Sequence, residues 1–299
     1  ITSKEYSPKE LEDFNISEDS DSNTINKQEN YTKIGSEYKL GFSLVAFGLL
    51  FSLLLFYFDL KKELYILAIA VGTFGILELL TALLKNKKKT KNGLVSIITD
   101  FNNMPKTMKQ LALVQFFSWF ALFAMWIYTT AGVTSHIYGT SDTTSELYNN
   151  GANWVGVCFG IYNGFAALFA FLLIYLAKIT NRKATHSISL VIGGLSLISI
   201  YFVPNPDLLI FSFVGVGLAW ASILAMPYAI LTGSLPSNKM GVYMGIFNFF
   251  IVIPQILAAS ILGFIIKDLF NGEAIYALIL GGISMFIASI LILFVKDED

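Results

Sequence analysis

The chain has 299 residues, of which 55% are hydrophobic and 14% are charged. Soluble domains carry about 25% charged residues, so this composition excludes an ordinary soluble protein and indicates a membrane protein. The net charge of -1 gives no indication of a nucleic-acid partner, and the single cysteine excludes an intrachain disulfide.

Residues 1–37 are polar and contain the stretch SEDSDSNTINKQEN. Such a segment cannot bury enough apolar surface to offset the entropy lost on ordering, so we predict a disordered cytoplasmic linker. Because the chain starts with ITSKEYSPKE and shows no signal-peptide pattern, we expect it to be part of a longer protein.

Eight apolar runs follow this segment, and each approaches the ~20 residues that a helix needs to cross a bilayer. The predicted fold is therefore all-α, a polytopic membrane protein with eight transmembrane helices. The predicted spans are 39–58, 64–84, 109–134, 151–177, 185–203, 207–231, 240–266 and 272–295.

Basic residues predict the orientation of these helices. Seven lysines lie in segment 85–109, whereas loop 135–150 contains neither lysine nor arginine. The positive-inside rule then places both ends of the chain in the cytoplasm, as an even number of spans requires. We expect an integral, multi-pass protein of the plasma (inner) membrane.

The basic cytoplasmic loop of residues 85–108 contains a short amphipathic helical pattern. Its apolar face would carry Leu94, Ile97, Ile98, Phe101 and Met104. Two interpretations stay open, a helix in the inner membrane interface and a helix packed on neighbouring loops.

Glu78 is the acidic residue inside the span before this loop. It either pairs with nearby lysines or takes part in ion coupling.

Two spans carry polar stripes that predict a hydrated cavity. Asn248 and Gln255 share one face of the seventh span, where Pro254 favours a bend at mid-membrane. An unpaired amide in hydrocarbon costs roughly 2–7 kcal/mol, so this face is expected to contact protein or water instead of lipid. In the third span, Gln115 and Trp119 are one turn apart, an amide beside an indole, which is a common arrangement for binding a sugar.

Further aromatic and amide residues are weaker candidates for the cavity. Trp220 and Tyr228 lie at mid-depth in the sixth span, whereas Trp126 in the third is better explained by an aromatic belt at the membrane surface. Asn163 lies beside two overlapping G-x-x-x-G steps, at Gly156, Gly160 and Gly164, which predict close helix packing. No HExxH, CxxC, GxSxG or phosphate-loop pattern occurs, so we predict no metal site, no cofactor and no enzyme.

Two long stretches point to a known family. They are MPKTMKQLALVQFFSWFALFAMWIY at 104–128 and MPYAILTGSLPSNKMGVYMGIFNFFIVIPQILAA at 226–259. The first resembles the seventh helix, and the second the tenth-to-eleventh helix region, of sugar–cation symporters in the major facilitator superfamily. The nearest branch is the sucrose/maltose–proton symporter type, and the resemblance extends over residues 104–295.

This resemblance implies that residues 109–295 are the C-terminal six-helix bundle of a major facilitator fold. It also implies that the N-terminal half, which holds the family's proton-linked acidic residue, is missing from this chain. Helices in 38–84 would then be two extra spans between the halves, or alternatively helices five and six of the N-terminal half. The loop KITNRK resembles a degenerate D-R-x-G-R-R gating motif, in which Lys178 replaces the expected Asp and Arg182 and Lys183 match the basic end.

We therefore expect a secondary active transporter that couples uptake of a disaccharide or other glycoside to protons by alternating access. The expected partners are this sugar, a coupling proton and the lipid bilayer. A nucleoside, peptide or drug substrate is an alternative, as is a membrane-embedded enzyme or a sensor. The predicted substrate-binding residues are Gln115, Trp119, Asn163, Trp220, Tyr228, Asn248 and Gln255.

Overall fold

The structure is a computed structural model of the chain, and it describes residues 26–59, 62–90, 92–236 and 239–297. Within these residues we find nine α-helices, three short 3-10 turns and no strand. The helices are α1 Asn26–Tyr57, α2 Tyr65–Asn86, α3 Gly93–Asn102, α4 Lys106–His136, α5 Glu146–Ile179, α6 Arg182–Phe202, α7 Leu209–Thr232, α8 Met240–Leu269 and α9 Tyr276–Leu291.

Eight helices in the described part of the chain are long and apolar enough to cross a membrane, which confirms the all-α, polytopic fold. Only the short α3 is not among them. The first helix begins earlier than the apolar run indicates, at Asn26, inside the segment predicted to be a linker. One reason is that Glu37, which precedes the predicted apolar run, is buried and paired with Lys85 of α2. Residues 1–25 of the predicted linker lie outside the described residues.

The chain divides into two compact units, of which the first contains the residues up to Asn102 together with 236–239. Its main element is the hairpin of α1 and α2, which depends on glycines at the crossing. A Cβ atom at Gly75 would lie 2.8 Å from the backbone nitrogen of Val45, and one at Gly48 would lie 2.8 Å from the carbonyl oxygen of Ala68. The two helices therefore touch backbone to backbone.

Helix α3 packs against α2 within this first unit. The rings of Phe101 and Phe74 lie 5.1 Å apart. Within the predicted apolar face Ile98 is buried and Ile97 is 46% exposed, while the polar Asp100 is also buried. The reason is an ion pair, since Asp100 Oδ1 lies 2.7 Å from Lys239 Nζ.

The second unit contains the six helices α4 to α9. Each helix packs on the next in the order α4, α9, α6, α7, α5 and back to α4, and α8 packs mainly against α4. The spans of α5 and α8 are 22% buried, against 50–56% for the other four. Much of the surface of α5 and α8 is therefore not covered by this unit.

Candidate functional site

Three of the four tryptophans of the chain meet in the six-helix unit. Trp119 and Trp126 lie two turns apart on α4, and Trp220 comes from α7. The ring centroids are 5.7 Å apart for Trp119 and Trp220, 5.6 Å for Trp126 and Trp220, and 6.2 Å for the two on α4. All three pairs are edge-to-face, the arrangement that the ring quadrupoles favour. We call these three residues the tryptophan cluster.

A close crossing of α5 and α7 brings a fourth aromatic residue to the tryptophan cluster. A Cβ atom at Gly217 would lie 2.7 Å from the carbonyl oxygen of Tyr162, so only glycine allows this approach. Tyr162 is buried, and its hydroxyl accepts a hydrogen bond of 3.0 Å from Trp126 Nε1. The bond joins the half-buried Trp126 of α4 to α5. Nothing in the sequence pattern had singled out Tyr162.

Two side chains of α4 at the tryptophan cluster have buried polar atoms that make no hydrogen bond in the part of the chain that the structure describes. Gln115 is 0% exposed, and neither its Oε1 nor its Nε2 makes a hydrogen bond within the described residues. The buried Nε1 of Trp119, one turn further along, is likewise unpaired there. A buried polar group left unpaired costs about 1–3 kcal/mol. Together the amide and the indole offer donors and an acceptor of the kind that bind hydroxyl groups.

A second polar contact joins α7 to α8. The Tyr228 hydroxyl donates a hydrogen bond of 3.2 Å to Oδ1 of Asn248. Asn248 is exposed, and the half-buried Gln255 makes no hydrogen bond within the described part of the chain. The neighbouring side of α8, including Phe247 and Ala258, is buried in the unit. The predicted polar stripe of α8 is therefore on the side that these six helices leave uncovered.

Asn163 of α5 also lies on an uncovered surface. Its Nδ2 donates to the Phe159 carbonyl oxygen of its own helix at 2.9 Å. The predicted close packing at the neighbouring glycines is not found among the described residues, because Cβ atoms at Gly156, Gly160 and Gly164 would meet nothing within 4 Å. The helix packs instead through its other side, where Tyr162 lies.

The predicted gating residues differ in their surroundings. Arg182 Nη1 donates to the Ala229 carbonyl oxygen at 2.7 Å, and its Nε lies 3.4 Å from Asp297 Oδ2. Lys183 Nζ donates to the Val295 carbonyl oxygen at 3.0 Å. Lys178 is exposed in the last turn of α5. Arg182 and Lys183 thus fasten the start of α6 to the end of α7 and to the chain after α9.

Comparison with known proteins finds a family. The model of the Major Facilitator Superfamily matches residues 111–299, which is more than half of the chain and includes every predicted substrate-binding residue. Among curated proteins, none matches the chain. The match and the membrane-spanning helices agree with a multi-pass protein that carries small molecules across a lipid bilayer. The chain therefore belongs to the Major Facilitator Superfamily, a family of secondary transporters.

Proposed function

We propose that this chain is the C-terminal part of a proton-coupled symporter for a disaccharide or other glycoside, which binds its substrate beside the tryptophan cluster. The observation that supports it most is the pairing of buried, unsatisfied polar atoms with aromatic rings. Gln115 and Trp119 present these atoms one turn apart, and Trp220 stands 5.7 Å from Trp119. Indole rings stack on the C–H faces of a sugar, while the amide exchanges hydrogen bonds with its hydroxyl groups.

The charge distribution favours an uncharged, hydroxyl-rich substrate. None of the seven proposed substrate-binding residues is charged. The acidic residues described in the six-helix unit lie at or near helix ends, at Asp142, Glu146, Asp207, Asp268, Glu273 and Asp297. A peptide or a cationic drug would need a charged partner to offset its desolvation, so a glycoside fits this surface better.

Alternating access requires a second bundle that faces the first. The uncovered sides of α5 and α8, with Asn163, Asn248 and Gln255, are where the six-helix N-terminal half implied by the resemblance would enclose the substrate. In this proposal the coupling carboxylate belongs to that half. Arg182 and Lys183 would hold the ends of α6, α7 and α9 in one arrangement while the halves move.

Counterflow of a radiolabelled disaccharide tests the proposal, in proteoliposomes that contain the chain together with its N-terminal half. Trp119→Ala should abolish counterflow because it removes both the stacking ring and an indole N–H. Trp154→Ala is the matched control, since Trp154 lies outside the tryptophan cluster and donates to the Pro206 carbonyl oxygen at 2.7 Å. Equal counterflow by both variants would contradict the site, and counterflow of nucleosides but not sugars would contradict the substrate class.

A further inference from the structure

A buried carboxyl group lies in the first unit. Glu78 of α2 is 0% exposed and lies within a candidate membrane span. Its two oxygens accept hydrogen bonds from the same atom, Asn102 Nδ2 of α3, at 2.9 and 3.1 Å. Ionisable groups inside a membrane span are costly, and they mark functional sites by default.

The charges around Glu78 do not balance. The nearest acidic group is Glu37 of α1, which is 8% exposed and paired with Lys85 of α2. On α3, Asp100 is paired with Lys239. Lys62 and Glu63 lie in the turn that precedes α2, at the end of that helix far from Lys85. Two buried carboxylates therefore share one ammonium, which leaves a net charge of -1 when all three groups are ionised. Removing such a charge from water costs several kcal/mol, and one bound proton would cancel it.

Unpaired polar atoms next to Glu78 suit a neutral carboxyl group. Thr81 is 0% exposed and its Oγ1 makes no hydrogen bond within the described residues; it lies one turn beyond Glu78 on the face that leads to Lys85. Oε2 of Glu37 is also buried and unpaired there. A protonated carboxyl needs an acceptor for its O–H, whereas a carboxylate accepts only. Both atoms could serve as this acceptor.

We infer that the α1–α2 hairpin binds one proton at Glu78, and that this proton weakens the attachment of α3. In the ionised form the Asn102 amide donates to both oxygens of Glu78, as the structure shows. In the neutral form one oxygen becomes a hydroxyl and the charge is lost, so both hydrogen bonds from the Asn102 amide become weaker. The site is independent of the sugar site, and its failure would leave the proposed transport function untouched.

Infrared difference spectroscopy of the full chain in lipid, recorded during a pH titration, tests proton binding directly. The wild type should show the C=O stretch of a protonated, buried carboxyl group, and Glu78→Gln should remove that band without changing the helical circular dichroism. Glu63→Gln is the matched control and should retain it. A band that survives in Glu78→Gln, or its absence from the wild type at every pH, would overturn the proposal.

Substitutions of the residues around Glu78 test whether each residue raises or lowers the pH midpoint of the infrared band. Glu37→Gln removes a negative neighbour, so the midpoint of the band should move to lower pH by about one unit or more. Lys85→Met and Asn102→Ala remove groups that favour the ionised form, so their midpoints should move to higher pH. Unchanged midpoints in all three variants would place the titrating group outside this cluster and overturn the assignment.

Hydrogen–deuterium exchange of the α3 amides tests the attachment. In the wild type, exchange should accelerate as pH falls through the infrared midpoint, after correction for the intrinsic pH dependence of exchange. In Glu78→Gln, which mimics the neutral form, exchange should be fast throughout. A pH-dependent step that persists in Glu78→Gln would show that another group controls α3.

Discussion

The indole ring of Trp119 lies edge-to-face against that of Trp220, with centroids 5.7 Å apart and planes inclined by 83°. Together with Trp126 these rings join α4 to α7 one turn from Gln115, whose amide has no hydrogen-bond partner among the described residues. The contact between the indole rings and the amide of Gln115 can therefore be tested by separate experiments.

Coupling between neighbouring indoles should be visible in circular dichroism. The three rings of the tryptophan cluster are close enough for their electronic transitions to couple, so the wild type should show an exciton couplet. Trp220→Phe removes two of the three indole pairs, the two with the shortest centroid distances, and should weaken this signal. Trp154→Phe should leave it intact, and a couplet that depends on Trp154 instead would contradict the packing.

The buried amide of Gln115 should lower the free energy of unfolding of the substrate-free protein, because it is placed to bind substrate. Gln115→Leu replaces an unsatisfied amide with an apolar group, so the substrate-free protein should gain about 1–3 kcal/mol in free energy of unfolding. The same variant should lose disaccharide uptake. Thermal unfolding and uptake are the two measurements.

Gln110→Leu is the matched control on the same helix. Gln110 Nε2 donates to the Phe294 carbonyl oxygen at 2.9 Å, and its Oε1 accepts from Lys296 N at 3.0 Å. Its replacement should therefore lower stability, opposite in sign to Gln115→Leu. If Gln115→Leu also destabilised the protein and left uptake normal, its amide would be a structural group with an interior partner.

Arg182 and Lys183, which donate hydrogen bonds to neighbouring segments, should contribute more to stability than the exposed Lys178. Arg182→Met would leave the Ala229 carbonyl oxygen and the Asp297 carboxylate without this partner, so it should cost about 1–3 kcal/mol of stability. Lys178→Met should change stability by less than about 0.5 kcal/mol because Lys178 is exposed. Thermal unfolding of purified variants measures both, and equal effects would exclude an anchoring role for Arg182.

Glycines of the α1–α2 hairpin should respond differently to the same substitution. Gly75→Ala would place a Cβ atom 2.9 Å from the Gly41 carbonyl oxygen, and overpacking of this kind costs about 1–3 kcal/mol. Gly72→Ala would meet nothing within 4 Å and should be neutral or slightly stabilising. Hydrogen exchange of the hairpin amides is the measurement, and faster exchange in Gly72→Ala alone would contradict this crossing.

The helices could be predicted from the sequence because bilayer thickness fixes the length of an apolar run. Their partners could not, because packing depends on contacts between distant residues. The hydrogen bond from Trp126 to Tyr162 requires the close approach at Gly217, and no local pattern indicates that combination. The G-x-x-x-G pattern of α5 predicted a close neighbour, but no described helix supplies one. The helical extension that carries Glu37 was missed because it rests on an ion pair with Lys85.

Accessibility of α8 to a water-soluble thiol reagent tests most directly whether the polar stripe borders the substrate path. The single cysteine, the buried Cys158, is first replaced by alanine. Gln255→Cys and its neighbour Ile256→Cys, which is 48% exposed on an apolar side, are then introduced separately and labelled in membranes that contain the complete transporter. We expect Gln255→Cys to react and the disaccharide to slow that reaction, while Ile256→Cys stays unlabelled in lipid. Labelling of Ile256→Cys but not of Gln255→Cys, or labelling of Gln255→Cys that no substrate slows, would contradict the proposed path.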